Sequence, residues 1–197
     1  MIEYLQALKQ SPLFAPLLYP LIAAFGIMAA GFIIDCINQI LMELLTKICG
    51  KRAAYVMLNY LTFPGTVIHE LSHAGMALIT GAKVTEISFF DKPLSGNLGH
   101  VNYIARGGIV SKSIQHCLTS CAPVLTGAAV QIMAVVLINS SYITKSWQMV
   151  LLIYIDISIL IHSSMSRQDI KNYLRGLKVV LLLIWIISAT IVALNKI

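Results

Sequence analysis

The chain has 197 residues, 58% of them hydrophobic and only 11% charged, with a mean hydropathy of +0.83. Soluble domains carry about 25% charged residues, so an ordinary soluble enzyme is excluded, and the length fits one integral membrane domain, residues 1–197. The net charge of +6 does not indicate a nucleic-acid partner, because the basic residues are scattered between apolar runs and form no dense patch. Lysines and arginines beside anionic headgroups of a lipid bilayer account for it better.

Taken in order, residues 1–12 read as a short interfacial segment without a cleavable signal. Leu13 to about Leu45 is apolar enough for one tilted span, closed by Lys47, Lys51 and Arg52. Asp35 interrupts this span, either as a functional carboxylate or as a residue facing water near a helix end. A second span, from about Ala54 to Thr80, contains Phe63-Pro64-Gly65, which breaks or restarts the helix. It also contains His69-Glu70-Leu71-Ser72-His73.

That stretch carries the chemistry. Residues four apart share a helix face, so His69 and His73 can aim two imidazoles at one metal ion. Glu70, adjacent in the chain, is placed to act as general base on a water activated by Zn²⁺. Ionisable groups in so apolar a setting cost about 2.5–3.5 kcal/mol each on insertion scales and generally mark function. Gly81 suits the helix stop.

The period changes after the motif. Lys83–Phe90 and His100–Ala105 alternate in the manner of strands, with turn residues from Asp91 to Gly99 between them. A β-hairpin is expected there, either lining the site, with a free edge able to pair with an unwound peptide, or covering the interface. Ile87, Val101 and Asn102 are the substrate-binding candidates. A span from Ile114 to about Ile138 follows, with Pro123 and Gly127 inside it. Trp147–Ser163 is a fourth span, Ser164–Gly176 a polar link that forms a short helix, and Lys178–Leu194 a last span. The expected class is therefore an α-helical polytopic membrane protein of about five spans, with a hairpin after the histidine helix. The loop charges favour a cytoplasmic N-terminus. Cys36, Cys49, Cys117 and Cys121 show neither Cys-x-x-Cys spacing nor a disulfide framework; Cys117 and Cys121 are helical neighbours beside His116, so a second metal site is the alternative to the reading preferred here, small core residues.

A catalytic zinc needs a third protein ligand, and Asp156, His162 and Asp169 are available. Asp169 also follows Ser166 at helix-capping spacing. The loop charges put it on the side of the membrane where the histidine helix ends.

Phe63-Pro-Gly-Thr-Val-Ile-His-Glu-Leu-Ser-His-Ala74, Gly81–Ser88, Gly96–Val101, Ala122–Gly127 and Ser164–Asp169 together resemble the intramembrane zinc metalloproteases of the site-2 protease class. The resemblance implies zinc, a hairpin that presents substrate, and cleavage of a membrane protein in or beside a span. It points to Asp169 as the third ligand. It implies a bacterial inner-membrane location. The chain lacks the Asn-Pro-x-Pro-x-x-Asp-Gly stretch that supplies the aspartate in larger members. A zinc-binding regulator without catalysis and a metal transporter are the alternatives.

Overall fold

The computed structural model describes residues 15–89 and 99–194. The N-terminal interfacial segment and the hairpin turn, residues 90–98, lie outside the described residues. Among those described, six helices and one hairpin follow in order: α1 (Ala15–Cys49), α2 (Lys51–Asn59), α3 (Phe63–Ile79), β1 (Lys83–Ser88), β2 (His100–Ile104), α4 (Ile109–Ile138), α5 (Ser146–His162) and α6 (Arg167–Leu194). Three of them, within α1, α4 and α6, are long and apolar enough to cross a membrane, and α5 is a shorter apolar helix. Their outer faces leave large aliphatic side chains uncovered, Ile48, Ile109 and Ile132 among them. Burial of apolar surface drives soluble folding, so such faces suggest a membrane protein.

The expected second span is two helices. The chain turns through residues 60–62, between α2 and α3. Pro64 lacks an N–H and is tolerated only in a first turn, where none is needed. Ser158 of α5 fastens the restart: the Gly65 amide donates to its Oγ at 2.8 Å, and that hydroxyl donates to the Thr62 carbonyl at 2.8 Å. A Cβ on Gly65 would collide with the Ser158 carbonyl, so glycine sets how closely α3 and α5 approach. At the other end, Gly81 adopts φ +87°, its amide donates to Leu78, and the Ala82 amide donates to Ala77. This paired closure satisfies the last carbonyls and throws the chain straight into β1.

The polar link and the last span are, by contrast, one continuous helix. Ser166 starts α6, and nothing in residues 167–178 breaks it. Gly176 is absorbed by packing, because a Cβ there would strike the Ser113 carbonyl of α4.

Helix α3 lies between α4 and α5, and α6 packs on α4 and α1. A core of Ala24, Cys117, Cys121, Val124, Met165 and Tyr173 joins α1, α4 and α6. The hairpin is antiparallel, with Ile87 opposite Val101 and a register irregularity between Val84 and Glu86. It packs against α3.

Candidate metal centre

One turn of α3 carries His69 above His73, and two backbone carbonyls hold their rings. His69 Nδ1 lies 2.6 Å from the His162 carbonyl, and His73 Nδ1 lies 2.8 Å from the Thr119 carbonyl. A carbonyl oxygen only accepts, so both Nδ1 atoms carry the proton and both Nε2 atoms present lone pairs. Both carbonyls have a reason to be free. His162 is the last residue of α5, where helix carbonyls lose their partners. The Thr119 carbonyl would ordinarily accept from the amide four residues on, but that residue is Pro123, which has none. The proline inside α4 thus frees an acceptor for His73. Pro123→Ala would restore a competing amide, and zinc affinity should fall about tenfold, as when an outer-shell partner is lost. Equilibrium dialysis against a zinc indicator measures it; unchanged affinity would mean that the proline serves packing alone.

The two Nε2 atoms stand 3.2 Å apart. Two lone pairs at that distance repel unless a cation lies between them. Zn–N bonds of about 2.0–2.1 Å at a tetrahedral angle place two nitrogens about 3.3 Å apart, so the spacing fits zinc. Asp169, in the first turn of α6, completes the set. Its Oδ1 lies 3.7 Å from His73 Nε2, and the donor atoms of His69, His73 and Asp169 all fall within 4.8 Å of one another.

Asp169 does two jobs with two oxygens. Its Oδ2 accepts from the Ser166 amide at 3.0 Å and from the Ser166 hydroxyl at 2.6 Å, while the Asp169 amide donates back to Ser166 Oγ at 3.1 Å. This reciprocal cap begins α6 and fixes the carboxylate plane, leaving Oδ1 turned toward the histidines. Capping and ligation are compatible here.

Of the other candidates, His162 turns its ring back on its own helix, with Nδ1 3.0 Å from the Ser158 carbonyl. It serves the centre through its backbone. Asp156 is not among the three donors brought together.

Glu70 is buried, 6% exposed, and stands outside the ligand set. Gly99, at the foot of β2, lies directly over it: a Cβ there would come within 3.0 Å of Glu70 Cγ and 2.7 Å of the Ser88 carbonyl. Glycine therefore lets the hairpin close down on the carboxylate. Beside it opens a cleft of about 260 Å³ between α1, α3 and α5, lined by Asp35, Asn38, Thr66, His69 and Glu70 among others. Polar side chains stand among apolar ones in its lining, Met42, Leu58 and Ile161 included.

The hairpin candidates sit apart from this cleft's described lining. Ile87 is 41% exposed and faces Val101 across the strands. Asn102 is engaged within the hairpin: its side-chain amide donates to Glu86 at 2.9 Å, and its carbonyl accepts from Thr85 at 3.0 Å.

Sequence reading missed Tyr103 of β2. Its hydroxyl shares a 3.0 Å hydrogen bond with His116 Nδ1 of α4, tying the hairpin to the bundle. Burial, and then the negative charge of Asp169, push that phenol above its ordinary range. Alternation in β2 was the available signal, since Val101 and Tyr103 share a face.

No protein-family model matches the chain, and no curated protein or solved structure matches it either.

Proposed function

We propose that this chain is a zinc-dependent intramembrane endopeptidase that hydrolyses peptide bonds in or beside transmembrane segments of membrane proteins. The observation that carries the reading is the pair of facing Nε2 atoms 3.2 Å apart beside Asp169 Oδ1, with each Nδ1 set against a backbone carbonyl. Such a set has no evident structural purpose without a cation, and a buried carboxylate on the next residue of the same helix is what hydrolysis needs. The residue-level resemblance to the site-2 protease class supports the same reading. In this proposal the three long helices cross a bacterial inner membrane, with α3 and α5 packed among them.

His69, His73 and Asp169 would hold the zinc, which supplies a Lewis acid that makes water nucleophilic near neutral pH and polarises the scissile carbonyl. Three protein ligands would leave the metal accessible to water and substrate. The carbonyls of His162 and Thr119 keep the imidazoles in the tautomer that offers Nε2. Glu70 takes the proton from the attacking water and returns it to the departing amine. Gly99 and the hairpin shield that carboxylate. The hairpin, with Ile87, Val101 and Asn102, offers a strand edge against which an unwound substrate would pair.

The test is hydrolysis of single-span peptides by purified protein in lipid nanodiscs, before and after metal removal. Dialysis against a chelator should abolish cleavage, and one equivalent of zinc should restore it. Cleavage that survives complete removal of zinc would end the proposal. A chain that binds zinc tightly and cleaves nothing would be a zinc-binding regulator instead.

A further inference from the structure

The cleft has two walls of different chemistry. One is the metal centre. The other comes from α1, where Asp35 and Asn38, three residues apart on one helix face, line the same cavity. One donor of this wall is tied inside the protein. The Asn38 amide nitrogen donates to the Ile161 carbonyl at 2.6 Å, which fixes the orientation of the amide and leaves Asn38 Oδ1 buried without a partner. Ile161 immediately precedes the residue whose carbonyl holds His69, so this wall is anchored beside the centre. One oxygen of Asp35 accepts from Gln39 at 2.7 Å. Across the cleft, Thr66 is 4% exposed and its hydroxyl also has no partner. No lysine or arginine is among the described residues that line the cavity.

A carboxylate and an unpartnered amide oxygen, with no basic side chain beside them, select a ligand that brings donors and positive charge, and the Thr66 hydroxyl can accept as well as donate. A peptide main chain brings donors and acceptors in equal number and suits a strand edge better than this wall. A lysine ammonium or an arginine guanidinium brings donors only. Such residues flank membrane spans, and the cleft opens beside the junction of α5 and α6, which packs on the middle of α1 and α4. We propose that Asp35, Asn38 and Thr66 form a subsite for a lysine or arginine side chain of the substrate segment, close to the bond to be cut. The inference rests on the protease reading for the nature of the ligand and on the cleft itself for its charge.

The test separates binding from hydrolysis. Fluorescent single-span peptides, identical except for one flanking position carrying Lys, Met or Glu in turn, are titrated into zinc-loaded Glu70→Gln protein in nanodiscs. The substituted position is moved residue by residue along the flank. At one or two positions the Lys peptide should bind roughly tenfold or more tighter than the Met peptide, as expected of hydrogen bonds to a charged group, and the Glu peptide should bind weakest. Asp35→Asn should remove most of that preference, and Asp35→Lys should invert it in favour of Glu. Zinc content checks that both variants are folded. Equal affinity for Lys and Met at every position, or a preference unmoved by either Asp35 change, overturns the subsite. If the preference holds while wild-type protein cleaves no peptide, the subsite stands and the protease reading falls.

Discussion

Glu70→Gln should lower hydrolysis of a transmembrane peptide by about 10²–10⁴-fold, the usual contribution of a positioned acid–base group, while zinc stays bound at one equivalent. The substitution keeps the shape of the side chain, so the packing beneath Gly99 survives. What disappears is the capacity to accept a proton. Because Glu70 is not among the three donors brought together, zinc binding should not depend on it. Single-turnover kinetics with the peptide in excess of its dissociation constant would isolate the chemical step. Wild-type turnover in the Gln variant would place the base elsewhere and sink the mechanism. Loss of zinc would mean that Glu70 is a ligand.

How far the sequence spoke depended on whether a feature was local. The four-residue spacing of His69 and His73 needs only helical geometry, and the facing Nε2 atoms follow from it. Alternation announced β1 and β2, and the capping interval from Ser166 to Asp169 announced the start of α6. The length of that helix was less legible. Its polar first turns read as a short helix of their own, because the change from polar to apolar composition near residue 177 looks like a break between elements, and the packing of Gly176 on α4 that carries the helix through is not local. The break between α2 and α3 was flagged by Pro64, yet its fastening by Ser158 spans 93 residues of sequence and leaves no local trace.

Backbone acceptors were the least legible part of the site. Any residue carries a carbonyl, so nothing in the identities of Thr119 and His162 marks them as partners of the histidines. Pro123 was the visible clue, readable as a kink, and its consequence appears only when His73 is seen beside the carbonyl it frees. The cleft wall is similar: Asn38 reaches Ile161 across 123 residues, and its unpartnered oxygen is a property of the assembled bundle.

The third ligand yields the sharpest remaining experiment. Asp169→Asn should weaken zinc binding by more than the roughly 10–100-fold that loss of an outer-shell partner costs. The physical reason is that the aspartate divides its two oxygens between the Ser166 cap and the direction of the histidines. Asparagine has one oxygen and no charge, so it can cap α6 or face the metal, but it cannot do both. Asp156→Asn, by contrast, removes a carboxylate that is no part of the converging set and should leave zinc affinity within about twofold, by the ordinary additivity of separated sites. Ser166→Ala separates the two roles of Asp169. It removes the cap, costing about 1 kcal/mol of stability, and loosens the carboxylate, but it leaves both carboxylate oxygens and the charge in place. Its zinc affinity should therefore fall between wild type and Asp169→Asn. Competition titrations against a chelator of known strength would rank all four proteins. Full affinity in Asp169→Asn beside depleted zinc in Asp156→Asn would move the third ligand into α5 and undo the assignment of the centre to the start of α6.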